Sequence, residues 1–427
     1  MDLTVEGKIY HNGSFEQACV SIKQGKIVSI KKTLKSDNHL NVGTNLILPA
    51  GIDSHVHFRD PGFPQKEDFS TGSTAAAFGG ISCIFDMPNT QPQTISTRTL
   101  MEKTQLASQK SYVDFGIFAG VNDENIGRLS ELSSYCAGFK IFLGNSTHSL
   151  HISPQNLKVA LGEADRTKKI TLVHAEDEHC LKKHEDREQS LVDHLRCRST
   201  ECEEAAIRSI LQNGHDFSSP LHICHLSSYD GLELLRRRPK NISVGVTPHH
   251  LFFDVQTLNK NQTFYKVNPP IRSSFDREAL WKGVNTHQID ILESDHAPHT
   301  TEEKTVDFDS APSGVPGVET LYPLMLVSIK KGQLALDTLL SMFCETPAQI
   351  LHLPKGKLEI GRDADFIVVD MKNIQKISAE HLHSKCGWTP FEGFPAIFPS
   401  MVFIRGEKVI DDHQILVKQG FGKSVGV

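Results

Sequence analysis

The chain has 427 residues, of which 38% are hydrophobic and 22% charged, and a formal charge of −6 at pH 7. That length suits one large domain plus a minor one, and the mild acidity excludes a general cationic surface for nucleic acid or anionic lipid while leaving room for a local basic site for a small anion. Nine cysteines without paired spacing fit reduced thiols rather than a disulfide framework.

The first residues lack a basic stretch followed by an apolar core, and no apolar run reaches membrane-spanning length, so a cytoplasmic protein without membrane contact is predicted. Residues 1–48 carry short alternating apolar patterns at 9–15, 19–22 and 27–30, broken by Asn12-Gly13 and Gln24-Gly25, which predict a hairpin or small antiparallel sheet. Strands are then predicted at 81–87, 113–118, 138–143, 170–174, 221–225, 243–247 and 289–294, and helices at 70–78, 154–165, 201–212 and 334–344. This βαβα rhythm points to a parallel sheet, and about eight strands over roughly 300 residues suit a closed barrel of the (β/α)8 type. Segments 361–370 and 401–410 return to the texture of the N-terminus. The predicted division is therefore a TIM barrel at 49–354 and one small composite β-sandwich built from 1–48 and 355–427.

The apolar run Leu46-Ile47-Leu48-Pro49-Ala50-Gly51-Ile52-Asp53-Ser54 leads into His55-Val56-His57-Phe58-Arg59. Alternate residues of a strand share a face, so His55 and His57 present both imidazoles to one ion. His174, His225 and Asp295 follow at or just after later strand ends, where barrel enzymes place their chemistry. Four imidazoles and a carboxylate suit zinc, with manganese or cobalt as substitutes. A second dication needs a bridging anion, which Lys140 supplies only as a carbamate; unmodified, it is an ordinary lysine at a strand end.

Each of these residues also has a plainer role. A lone histidine after a strand is more often a hydrogen-bonded structural group, and His148, His179, His222, His249 and His250 are left between pocket, packing and surface roles. Arg59 either faces the pocket or pairs with Asp60 or Asp68. Cys224 is read as a packing residue on the strand face opposite His225. Segment 143–149 is small and polar, either a lid or a static loop. Four Asn-x-Ser/Thr triplets, at Asn12, Asn145, Asn241 and Asn261, are chance matches without a secretion signal. The tail Gly420-Phe421-Gly422-Lys423-Ser424 ends like a phosphate loop, but Val417 stands where its first glycine belongs.

Taken in order, His55-Val56-His57-Phe58-Arg59-Asp60-Pro61-Gly62, Asp86-Met87-Pro88-Asn89-Thr90, Gly138-Phe139-Lys140, Val173-His174-Ala175-Glu176, Ile223-Cys224-His225, Thr247-Pro248-His249-His250, Val267-Asn268-Pro269-Pro270, Ser294-Asp295-His296-Ala297-Pro298-His299 and Gly314-Val315-Pro316-Gly317 resemble the amidohydrolase superfamily and, within it, the lysine-containing branch of the dihydroorotase family. The resemblance implies a distorted (β/α)8 barrel beside a composite β-sandwich. It implies the reversible, zinc-dependent cyclisation of N-carbamoyl-L-aspartate to L-dihydroorotate and water in de novo pyrimidine (UMP) biosynthesis. His55, His57 and Asp295 would hold the more buried of two Zn2+ ions and His174 and His225 the more exposed one, with carboxylated Lys140 and a hydroxide as bridges. Asp295 would be the catalytic proton shuttle, a role that asks it to titrate near working pH. Arg59, helped by Asn89, His299 and Asn268, would hold the substrate carboxylate, with backbone near Pro316-Gly317 as a weaker candidate. A homodimer and association with aspartate transcarbamoylase are further implications. Two alternatives stand beside this reading: another cyclic amidohydrolase (allantoinase or dihydropyrimidinase/hydantoinase), and a non-catalytic scaffold that keeps the fold.

Overall fold

The structure, a computed structural model, describes residues 2–11, 13–34, 36–144 and 150–427. The expected lid therefore lies largely outside the described residues, and with it His148. Eight strands form one parallel sheet: β5 (Gly51–Val56), β6 (Ile81–Asp86), β7 (Asp114–Gly120), β8 (Gly138–Phe142), β9 (Ile170–His174), β10 (Leu221–Ile223), β11 (Ile242–Val246) and β12 (Ile291–Leu292). The strands pair in sequence order from β5 to β12. A parallel bridge between Val56 and His296, with the His57 N–H donating to the His296 carbonyl at 2.8 Å, closes the ring.

Strands β5 to β9 are buried at every residue, because helices cover their outer face and side chains fill the interior. That is why they read as continuous apolar runs. Ile52, Cys83, Phe85, Met87, Phe118 and Leu172 pack together as one apolar cluster that includes Cys224. Gly116 is small for a packing reason: an added Cβ would stand 2.2 Å from the Phe85 ring.

Both termini join in a second sheet. Strands β1 (Leu3–His11), β2 (Ser14–Lys23), β3 (Lys26–Lys31) and β4 (His39–Pro49) join through β4 to β13 (Phe366–Val369), and β16 (Met401–Ile404), β17 (Glu407–Asp411) and β18 (Gln414–Ile415) continue the sheet. A separate ribbon consists of β14 (Gln375–Lys376) and β15 (Pro395–Ala396). Alternation assigns the two faces of the large sheet. Ile47, Phe366, Val368 and Phe403 enter its own core with Val5, Val20 and Ile27, while Leu46, Leu48, Ile367, Val369 and Val402 join the main core shared with the barrel. Backbone bonds from Ile27 to Arg362 and from Ala364 to Gly25 roll the β3 edge back toward the start of β13.

Lys355 locks sheet to barrel. Its ammonium, 1% exposed, lies 2.7 Å from Asp114 at the start of β7, 2.7 Å from Asp365 and 3.0 Å from Asp363. The phosphate-loop lookalike is structural: Phe115 donates to the Lys423 carbonyl and Val425 to that of Phe115, so the tail packs under β7. One expectation fails here. Cys180 and Cys202 are joined in a disulfide, while the other seven cysteines are unpaired. Two thiols in different helices, separated by 22 residues, leave no spacing signature in the sequence.

Candidate metal centre

The C-terminal ends of the barrel strands deliver the expected residues to one place. His55 is the penultimate residue of β5 and His57 lies just beyond it; Lys140 is central in β8, His174 ends β9, His225 follows β10, and Asp295 follows β12. A cavity of about 520 Å³ is lined by His55, His57, Arg59, Asn89, His174, His225, Asn268, Asp295 and His299. Lys140 does not line it; the fully buried ammonium lies 3.5 Å from His55 Nε2. Three of these residues have left-handed backbone, Arg59 at φ 62°, His225 at φ 38° and Asp295 at φ 45°. Such conformations cost a non-glycine residue on the order of 1–3 kcal/mol and cluster at functional sites.

Outer partners fix the imidazole orientations. His57 Nδ1 donates to Asn89 Oδ1 at 2.6 Å, His55 Nδ1 to Glu293 Oε2 at 3.3 Å, and His174 Nε2 to Glu176 Oε2 at 2.7 Å. Glu176 is itself gripped by the Arg198 guanidinium. The nitrogen lone pairs of all three rings therefore point inward. His55 Nε2 and His57 Nε2 stand 3.4 and 3.1 Å from Asp295 Oδ1, three electron-pair donors facing one another. His174 Nδ1 faces His225 Nε2 at 3.1 Å, and the buried His225 Nδ1 has no hydrogen-bond partner among the described residues. Donors crowded this way repel unless a cation sits among them, so the residues present fit a metal centre with two poles.

Electrostatics agree. Burial, reinforced by the Lys140 ammonium, holds the His55 imidazole down to about 4. Burial likewise holds His174 and His225 below the ordinary imidazole value, the latter further depressed by its histidine neighbour. All three are thus neutral at pH 7, the form that ligates. Burial raises the Asp295 carboxyl, but the close His55 and His57 rings outweigh it and hold the group well below the usual carboxylate range. In the field of these side chains Asp295 is a carboxylate at neutral pH.

Arg59 is 9% exposed and, among the described residues, has no carboxylate in an ion pair. The two acids it was expected to compete for are taken: Asp60 pairs with Lys110 and Asp68 with Lys385. Its Nε donates to the Pro298 carbonyl at 3.2 Å and its Nη2 lies 3.1 Å from His299 Nε2. Trp388 in turn donates to the His299 carbonyl at 2.8 Å. Asn268 also reaches the cavity, with a buried Oδ1 that has no hydrogen-bond partner among the described residues. The Gly317 amide instead donates to His296 Nδ1 at 3.1 Å and is not part of the wall, which Pro312, Ser313 and Gly314 supply.

Cys224 does not face away as expected. Its sulfur accepts from Lys140 Nζ at 3.1 Å, and burial pushes the thiol up to about 12, so it stays protonated. His222 lies 3.3 Å from Glu293 Oε2, and His250 is held between Thr247 and the Pro269 carbonyl. His249 is buried, its Nε2 without a hydrogen-bond partner among the described residues, and His179 is exposed. Sequence reasoning passed over Glu176, Glu293, Arg198 and Trp388. Glu176 and Glu293 stood two residues from His174 and Asp295, a spacing that puts both on the ligands' side of an extended chain.

Residues 46–409 match the model of the Amidohydrolase family. The chain belongs to the amidohydrolase family. It is 41% identical to a dihydroorotase of Methanosarcina mazei, covering 97% of this chain and 95% of that protein. It is 36% identical to a dihydroorotase of Halobacterium salinarum, covering 90% and 92%. Among solved structures of amidohydrolases, the L-hydantoinase (dihydropyrimidinase) from Arthrobacter aurescens superimposes with a TM-score of 0.95 at 27% identity, covering 99% of each chain. The fold and the resemblance to dihydroorotases expected from the sequence are both borne out. A metal cofactor is what amidohydrolase membership and these histidine-aspartate groups imply.

Proposed function

We propose that the chain is a dihydroorotase, closing N-carbamoyl-L-aspartate reversibly to L-dihydroorotate with release of one water. The relatives support the reaction. The observation that carries the substrate is Arg59, a buried guanidinium without a carboxylate in an ion pair among the described residues, on the wall of the cavity that holds the histidines. Dihydroorotate bears a carboxylate beside its ring, and a planar fork of donors suits it. Asn89, Asn268 and His299 complete the substrate wall in this reading.

His55, His57 and Asp295 would hold one divalent ion and His174 and His225 a second, both zinc. Lys140 would bridge them after carboxylation. This is supported by its place, buried beside His55 and Cys224 and, among the described residues, without a carboxylate in ion-pair range, where an anionic carbamate would stand between two cations. When bound, such a pair supplies Lewis-acid polarisation of the amide carbonyl and makes water acidic enough to ionise near neutral pH. In hydrolysis Asp295 takes the proton of the attacking water and returns it to the departing ring nitrogen; in closure it removes that proton from the attacking ureido nitrogen. Asn89, Glu293 and Glu176 keep His57, His55 and His174 in the ligating tautomer.

The A. aurescens neighbour favours a second reading, hydrolysis of a ring without the carboxylate. Initial rates on dihydroorotate, dihydrouracil, hydantoin and allantoin separate the two. Preference for dihydroorotate supports the proposal, and preference for any other ring overturns it; an inert, metal-free protein would favour the scaffold. The reading includes a homodimer, association with aspartate transcarbamoylase and a cytoplasmic setting, which light scattering, co-purification and fractionation test. No helix among the described residues is long and apolar enough to cross a membrane.

A further inference from the structure

Outside the strand-end cavity, Cys180, His184 and Cys202 bring three potential ligand atoms within 4.8 Å of one another. Cys180 sits in the short helix Glu178–Lys183, and His184 closes that helix. The two are four residues apart and so share a face. Cys202 comes from the first turn of the next long helix, Thr200–Gly214. His184 Nδ1 lies 3.6 Å from the Cys180 sulfur and 3.9 Å from the Cys202 sulfur. In a tetrahedral zinc site with Zn–S of about 2.3 Å and Zn–N of about 2.0 Å, the nitrogen-to-sulfur edge is about 3.5 Å. Cys202 is fully buried, while Cys180 and His184 are half-buried and reachable from solvent.

We propose that these three residues form a further cation site, for a thiophilic divalent ion such as zinc, which the disulfide closes and reduction opens. The other seven cysteines are unpaired, which matches a reducing setting in which this pair opens too. Two molecules of a small thiol give up their hydrogens and become one disulfide, while Cys180 and Cys202 become thiols. On binding the cation both thiols release their protons to solvent. His184 Nδ1, which donates to the Cys180 carbonyl at 3.0 Å in the oxidised form, must lose its proton, and Nε2, 3.9 Å from Glu201, takes one up. The neutral ring then ligates through Nδ1 and turns its N–H toward a carboxylate, as ligating histidines commonly do. The filled site would tie together the ends of the segment that carries Arg198, whose guanidinium holds Glu176.

The test is metal content of the full chain, prepared with zinc under thiol reductant, desalted and measured by mass spectrometry. Reduced wild type is expected to hold one zinc per chain more than Cys180→Ser and one more than the disulfide-oxidised wild type. Loaded with cobalt, reduced wild type is expected to show an intense near-ultraviolet thiolate charge-transfer band that Cys180→Ser lacks. His184→Gln keeps the disulfide, so it folds as the oxidised protein does, and on reduction it should lack the extra ion even if Cys180→Ser fails to fold. Equal zinc in reduced wild type and His184→Gln overturns the proposal, as does an extra ion retained after oxidation. A cobalt band of undiminished intensity in Cys180→Ser also counts against it. None of these readouts needs turnover, so their failure is separable from failure of the dihydroorotase reading.

Discussion

Replacing Arg59 with methionine keeps a long apolar stem and removes the guanidinium. With Nε on the Pro298 carbonyl and Nη2 beside His299, the rest of the fork is left for a carboxylate. Hydrogen bonds to charged partners are worth about 1.5–3 kcal/mol each, so a two-pronged contact is worth about 3–4 kcal/mol after incomplete additivity. At about 1.4 kcal/mol per decade, kcat/KM for dihydroorotate is expected to fall by two to three orders of magnitude. Any residual rate on hydantoin, which has no carboxylate, should change by less than about 3-fold, since it never engages the lost group. The fold should survive: the lost Pro298 bond costs about 1 kcal/mol, offset by removing a buried charge that has no carboxylate in an ion pair among the described residues. Steady-state rates on both substrates, with thermal melts as control, decide it. Equal losses on the two rings, or a loss under about 5-fold on dihydroorotate, would refute the assignment.

Other expectations follow from the same geometry. Glu293→Gln loosens His55 and should weaken metal retention by about 10- to 100-fold, read by chelator competition; unchanged retention would deny Glu293 its positioning role. Lys355→Met leaves Asp114, Asp363 and Asp365 facing one another in a buried node and should cost about 3–5 kcal/mol in denaturant unfolding, with no change in metal content. For Glu188, burial acts to raise the carboxyl, but bonds to His194 and Lys266 outweigh it and hold it at about 2. A carboxyl depressed on folding stabilises above its unfolded value near 4.5 and loses that contribution as pH falls toward about 2. The melting-temperature advantage of wild type over Glu188→Gln should therefore be full at pH 6 and shrink steadily below about pH 4.5; a constant difference would contradict it.

Much of this was legible in the chain because barrel strands are short, buried on both faces and end at the chemistry. The order His55, His57, Lys140, His174, His225, Asp295 is the order of strand ends around the ring. Helix 334–344 was read as one piece; the chain instead forms Leu336–Leu340, a wide turn at Ser341–Glu345 and Thr346–Ile350. The residues that orient the ligands were hidden for a different reason. An acid such as Glu176 or Glu293 looks like solvated surface until a histidine and an arginine from distant elements meet it. Arg59 could be called a free cation only once Asp60 and Asp68 had found Lys110 and Lys385, both remote in sequence. Cys224 was misplaced because the residue before a ligand in an ideal strand points away, whereas β10 ends at Ile223 and the left-handed His225 turns the chain there. Nothing in the spacing of Cys180 and Cys202 could join two helices across Arg198.

Crystals grown with zinc and bicarbonate, with anomalous scattering recorded at the zinc edge, test the centre most directly. Two peaks are expected, one among His55, His57 and Asp295 and one between His174 and His225, joined by continuous density extending from Lys140. A bare Lys140 amine still resting on Cys224, with zinc bound elsewhere or absent from both poles, would contradict the account.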